Sequence, residues 1–169
     1  MKKTFNLDNI DRKLLNLLQK NNQLPTRILA EQIHTSQPTC LRRIKSLRDA
    51  GVISADVALV NTFALGYGIM AFIEVSLKDQ SDQKMQEFEA RMNKEVAVMQ
   101  CYFVSGDYDY FLVVHVPDME IYYHFVRQVI SGSGNVQHFQ SRFPMKRAKF
   151  STRILFDEKN DLLNVRVEK

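Results

Sequence analysis

Residues 26–50, TRILAEQIHTSQPTCLRRIKSLRDA, read as two short helices joined by a tight turn, the second studded with cations. Leu29, Ala30 and Ile33 line one helical face and Cys40, Ile44 and Leu47 another, both at i, i+3/i+4 spacing. Between them, in His34-Thr35-Ser36-Gln37-Pro38, Ser36 is placed to cap the second helix. Pro38 falls in its first turn, where a missing N–H costs nothing. Gly51, after Ala50, suits the left-handed residue that ends a helix. The outer face keeps Gln37, Thr39, Arg42, Arg43 and Lys45, donors suited to phosphates and base edges. This is the pattern of a helix-turn-helix, and double-stranded DNA is the first partner it implies.

Upstream, Leu7, Ile10, Leu14 and Leu18 recur at helical spacing, Asp8 or Asn9 can cap the start, and the helix should end near Asn21-Asn22, before Pro25. The spacing predicts the second helix over 26–33 and the third over 37–50, the smallest stable helix-turn-helix unit. Downstream, VISADVALVNTFAL (52–65) alternates loosely and reads as a strand running into a linker that ends at Gly66-Tyr67-Gly68.

Beyond the linker the pattern becomes strand 69–77, helix 82–93, strands 96–104 and 110–116, helix 118–130 and strand 136–143. Met85, Phe88 and Met92 mark the inner face of one helix, Ile121, Phe125 and Val129 that of the other. The order βαββαβ is the ferredoxin-like split unit, an antiparallel sheet with both helices on one face. Met70 and Phe72 alternate with Ile69 and Ile73, so the uncovered face also carries apolar residues and a second copy is expected to cover it. The fold class is therefore α+β. The expected domains are 1–52, helix-turn-helix; 53–67, strand and linker; 68–156, ferredoxin-like ligand-sensing and oligomerisation domain; and 157–169, a polar tail. Ser151–Phe156 is a candidate for one more strand.

Composition narrows the class. Of 169 residues 45% are hydrophobic and 25% charged, ordinary for a globular protein, and no run of about 18 apolar residues predicts a membrane span. The opening MKKTFNLDNIDRK lacks the apolar run of a signal peptide. Cys40 and Cys101 lie far apart without metal-ligand spacing and read as reduced structural thiols of a cytoplasmic protein. The net charge of +4 is uneven: +5 over residues 1–60, −4 over 61–145 and +3 over 146–169. A basic first third beside an acidic middle argues for two modules, one of them facing a polyanion.

Three segments together resemble the Lrp/AsnC family of feast/famine transcription regulators, its leucine-responsive branch in particular. They are Leu7-Asp8, Asp11, Leu14 and Leu18-Gln19; Ser36 with Cys40-Leu41, Arg43-Ile44, Leu47, Gly51 and Ile53; and Val104-Ser105-Gly106-Asp107-Tyr108-Asp109-Tyr110, followed by Val116-Pro117-Asp118-Met119. The resemblance covers roughly residues 6–150. It implies a helix-turn-helix joined to a ligand-sensing ferredoxin-like module, dimers that often assemble as octamers, and a free amino acid bound between neighbouring dimers.

Against this background Ser36, Gln37, Thr39, Arg42, Arg43 and Lys45 are candidate DNA contacts, with Arg27 of the second helix more suited to the DNA backbone. The competing reading of Arg43 is a structural pair with Asp49 or Glu31. Many relatives carry an acidic residue where this chain has Arg42, so its operator preference can differ from theirs. The loop Gly106-Asp107-Tyr108-Asp109 reads either as a tight hairpin turn or, by resemblance, as the holder of an amino-acid zwitterion. In the second reading Asp109 takes the ammonium and backbone N–H groups near Gly106 the carboxylate.

Gln137 and Ser141 on the last strand could complete that pocket from a neighbouring subunit, with Phe139 and Phe143 as its wall; ordinary interface packing is the rival reading. Met119 aligns with a position the resemblance links to effector response. Leucine or methionine suits the surrounding Phe and Met residues. No cofactor or metal is implied, since His34, His115, His124 and His138 are scattered and no nucleophile–base pair stands out. The expectation is a regulator, not an enzyme. An architectural DNA-binding protein without obligate ligand and a metabolic enzyme or its regulatory subunit are the alternatives.

Overall fold

A computed structural model describes residues 4–156 and 165–166. In chain order the elements are β1 (Thr4–Phe5), α1 (Asn9–Leu18), α2 (Thr26–Gln32), α3 (Gln37–Asp49), β2 (Ile69–Leu77), α4 (Asp82–Met92), β3 (Val98–Phe103), β4 (Tyr110–Val116), α5 (Met119–Phe125), β5 (Val136–Arg142) and β6 (Val165–Arg166). They divide into two compact units, residues 1–58 with 149–169, and residues 59–148. Of the expected tail 157–169, residues 157–164 and 167–169 lie outside the described residues.

In the first unit α1 opens with a capping box: the Asp8 carboxylate accepts the Asp11 N–H at 2.8 Å and the Asp11 carboxylate accepts the Asp8 N–H at 3.3 Å. Leu7, Leu14, Leu15, Leu29, Ala30, Ile33, Cys40, Ile44 and Leu47 are buried together, so each helix lays its apolar stripe into one core. Burying each of the larger side chains contributes about 1.5–3 kcal/mol. The two turn-forming helices end with the same closure. After α2 the Thr35 N–H reaches the Ala30 carbonyl and the His34 N–H the Glu31 carbonyl; after α3 the Val52 N–H reaches Leu47 and the Gly51 N–H Arg48. Each closure needs one left-handed residue: Gly51 has φ 72°, and His34 takes φ 54° where glycine is usual.

In the second unit the strands form an antiparallel sheet in the order β3-β4-β2-β5. Ile69 pairs with Val116 and Val75 with Tyr110; Phe72 pairs with Arg142 and Leu77 with Val136. Ala71, Ile73, Val75, Leu77, Tyr110, Leu112, Val114 and Val116 all face the helices and pack against Phe88 and Met92 of α4 and Tyr122 and Phe125 of α5. The opposite face carries half-buried Met70, Phe72, Phe111 and Val113, with the Phe72 and Phe111 rings stacked at 5.6 Å. The α+β class and the βαββαβ order therefore stand as read from sequence.

Three local expectations change. Residues 54–61 form no strand; Val57, Leu59 and Val60 are 61–66% exposed, and no other segment supplies a ladder partner among the described residues. The second helix of the sheet unit is α-helical only to Phe125, then widens into a π-helical turn over Val126–Ile130 whose Gln128 carbonyl is taken by the Arg91 guanidinium. Residues 151–156 join no ladder and belong to the first unit, because the side chains of Asn16 and Gln19 take up their backbone groups.

Candidate DNA interface and effector loop

The two-helix segment presents a polar ridge built on an apolar underside. Ser36 caps α3, its hydroxyl accepting the Thr39 N–H at 3.4 Å and donating to the Thr39 hydroxyl at 2.9 Å. Cys40, Ile44 and Leu47 lock the inner face, which leaves Gln37, Arg42 and Lys45 exposed and Thr39 half-buried. Arg42 and Lys45, three residues apart on α3, make no ion pair among the described residues. Arg27 pairs with Glu31 one turn on, at 2.8 Å.

Arg43 is placed differently. One of its terminal nitrogens donates to the Asp8 carboxylate and to the Asp11 carboxylate, both at 2.8 Å, and its side chain is 25% exposed. The structural partners are thus the capping-box aspartates of α1, not Asp49 or Glu31. Burial works to raise the pKa of Asp8, but the Asp11 N–H and the Arg43 guanidinium outweigh it and hold the carboxyl below its usual value. Burial likewise works against the charge on Arg43, and the two aspartates more than restore it. Arg43 is the tie between α1 and α3, a role that the spacing Asp8–Asp11 hinted at only as a helix start.

In the second unit the loop between β3 and β4 turns at Gly106, whose φ of 127° suits a residue without Cβ. The Val104 N–H reaches the Asp109 carbonyl at 2.9 Å and closes the turn. The Asp109 carboxylate takes the Leu77 N–H at 2.7 Å and the Gln80 side-chain amide at 3.0 Å, so it anchors the loop to the end of β2. Two of its roughly four acceptor positions are thereby used. Gln80 is a positioning residue that no motif marked. Asp107 is exposed, and half-buried Tyr108 reaches Glu74, which Arg142 grips through two nitrogens at 3.1 and 3.0 Å.

The remaining expected effector residues are spread along the sheet. Gln137 is exposed at the bulge where β5 slips against Ser76 and Leu77, at the same sheet end as Gly106–Asp109 but across β2 from it. Two strand spacings separate those sides, roughly 10 Å. Ser141 pairs with Ile73 at mid-strand, and its hydroxyl accepts a hydrogen bond from Tyr122, whose ring meets Phe143 edge-on at 5.0 Å. Met119 is exposed at the first turn of α5, capped by the Asp118 carboxylate, at the far end of the sheet where Val116 pairs with Ile69. One protomer therefore brings the loop and Gln137 to one sheet end, and leaves Met119 and Phe143 near the other.

Comparison with known proteins agrees with this two-part build. A family model described as a winged helix-turn-helix DNA-binding domain matches residues 7–54, and one described as the Lrp/AsnC ligand binding domain matches residues 70–154. An HTH-type transcriptional regulator of Haemophilus influenzae is 39% identical over 149 residues, which span 88% of this chain and 89% of that one. A leucine-responsive regulatory protein of Rhizobium meliloti is 36% identical over 85% of this chain and 92% of its own. Among solved structures, a transcriptional regulator of Neisseria meningitidis in complex with L-methionine is 34% identical. It superposes with a TM-score of 0.82, covering 88% of this chain and 96% of that one. On its two domains and their matches together, the chain belongs to the Lrp/AsnC family of DNA-binding transcriptional regulators.

Proposed function

We propose that this regulator binds operator DNA through α3 and that a free amino acid, leucine or methionine, sets its assembly or its DNA affinity. The observation that carries the DNA half is the pairing pattern on α3. Arg42 and Lys45 stand exposed without an ion-pair partner among the described residues, whereas Arg43 is held by two carboxylates. Arg42, Lys45 and Gln37 meet the phosphates and base edges, Ser36 and Thr39 fix the helix start against the backbone, and Arg27 reaches a flanking phosphate. Arg43 contributes through the position of α3.

The effector half rests on the loop Gly106-Asp107-Tyr108-Asp109. Its backbone N–H groups suit a carboxylate, and Asp109 keeps acceptor capacity for an ammonium. Because Met119 lies at the other sheet end, a pocket that also uses Met119, Gln137 or Ser141 is complete only when a second copy contributes. That requirement supports binding between dimers, and the half-buried apolar sheet face supports the dimer itself. We take the working state to be a cytoplasmic homodimer that assembles to an octamer, and its role to be regulatory, not enzymatic.

The test is a titration of a selected high-affinity duplex at several salt concentrations. Arg42→Ala and Lys45→Ala should each weaken binding and lower the salt slope by about 0.9, one phosphate contact apiece. An unchanged slope in both variants would remove α3 from the interface. A thermal-shift screen against the twenty amino acids tests the rest, since a ligand at a hundred times its Kd adds about 2.7 kcal/mol. No shift with any of them overturns the sensing reading and leaves an architectural DNA-binding role.

A further inference from the structure

α1 and its C-terminal cap residue Gln19 carry a row of polar side chains apart from the aspartates that hold Arg43. Arg12, Asn16 and Gln19 fall in one row at i, i+4 and i, i+3 spacing. The Asn16 amide donates to the Phe156 carbonyl at 2.9 Å and accepts the Phe156 N–H at 3.1 Å. The Gln19 amide does the same with Ile154, both bonds at 2.8 Å. A carboxamide offers the donor and acceptor that a peptide group offers, so two of them in a row imitate the edge of a β-ladder. The spacing fits: two residues of extended chain advance about 6.6 Å, close to the 5–6 Å or so between helix side chains three apart. Segment and helix run antiparallel, Phe156 packs against the helical core, and Arg12, one turn before Asn16, is buried.

We propose that α1 is a strand-docking surface, that its occupant is this chain's own segment 153–156, and that this clasp couples β5 to the recognition helix. Only eleven residues, 143–153, separate the end of β5 from the clasped Ile154. The other end of α1 holds Arg43 of α3 through Asp8 and Asp11. The chain thus runs from the strand bearing Gln137 and Ser141, through the clasp, along α1, to α3. The regulatory part of the proposal rests on the effector reading of that strand; the clasp itself does not.

The test uses full-length Asn16→Ala/Gln19→Ala beside wild type and Gln19→Glu. Trypsin cleavage after Arg153 reads clasp opening, because Gln19 holds the N–H of the bond to be cut. With four hydrogen bonds gone, cleavage there should speed up on the order of 100-fold relative to sites in residues 59–148. Gln19→Glu, which keeps the acceptor and loses the donor, should fall between. Equal rates in all three proteins would overturn the clasp, and the single variant decides the matter if the double one fails to fold. For the coupling, the amino-acid-induced change in DNA half-saturation should shrink to about onefold in the double variant while ligand binding is unchanged. A variant response equal to wild type overturns the coupling. A wild type that answers no amino acid overturns the effector reading and the coupling with it, while the clasp still stands or falls on the cleavage rate.

Discussion

Replacing Arg43 with alanine separates a DNA contact from a structural tie. The substitution removes both bonds to the capping box and leaves the Asp11 carboxylate, 9% exposed, without its cation. Breaking a pair at so buried a site costs about 2–3 kcal/mol, most of it the penalty of a carboxylate left without its donor. Asp8 is 51% exposed, and solvent screening limits its share to about 0.2–1 kcal/mol. The helical unit should therefore lose roughly 2–4 kcal/mol. Arg43→Lys restores a charge but not the planar guanidinium whose one terminal nitrogen lies between the two carboxylates, and recovers part of the loss.

The assay is hydrogen exchange read peptide by peptide. In Arg43→Ala the amides of α1 and α3 should exchange on the order of 100-fold faster, with those of β2 and β4 unchanged. Acid should narrow the difference by the share that Asp8 holds. The folded-state pKa of Asp8 lies below its ordinary 3.8, so its contribution is present above that value and is lost as the pH falls through the folded one. If α1 and α3 exchange as in wild type while DNA affinity drops as far as in Arg42→Ala, then Arg43 is a DNA contact and the tie is refuted.

Three further substitutions test backbone strain and the burial of a histidine. His34→Gly should stabilise the helical unit by about 0.5–1 kcal/mol in chemical denaturation, because a side chain is strained at φ 54°. Gly51→Ala should destabilise it by a similar amount, and equal signs in the two variants would refute the closure argument. In the sheet unit, burial and then the nearby Arg147 lower the pKa of His115 below its ordinary 6.5. Its stabilisation is present above that pH and lost as the pH falls through the lowered value; the melting temperature should decline on acidification, and His115→Gln should flatten that decline.

Much of this architecture is legible because period and cap chemistry act locally. The stripe Leu29, Ala30, Ile33, Cys40, Ile44 and Leu47 could only be a buried helical seam, and Ser36 and Gly51 mark their boundaries by what their backbones allow. The alternation along 69–77 and 110–116 forecast the strands to the residue, because one face is fully buried and a slip would expose it. What stayed hidden is set by residues distant in sequence. Arg43 reads as one more cation of α3 until α1 is folded beneath it. Ser151–Phe156 has the look of a strand, yet its hydrogen-bond partners are side chains 135 and 140 residues away, and no periodicity encodes them. The apolar letters of residues 57–60 suggested a strand for the same reason, since alternation reports a propensity and a ladder needs a neighbour.

These hidden contacts converge on one helix. α1 supplies Leu14 and Leu15 to the core, Asp8 and Asp11 to Arg43, and Asn16 and Gln19 to the clasp, so its three faces are each committed. A helix fixed on all sides transmits displacement instead of absorbing it: packed elements switch between discrete arrangements and deform little. A pull on the clasped segment therefore has a rigid path to α3. A ligand that favours one arrangement of β5 shifts α3 only by its difference in affinity between the two arrangements. That bound makes the tie and the clasp, more than the exposed cations, the residues whose loss should leave a protein that still binds DNA but no longer answers its effector.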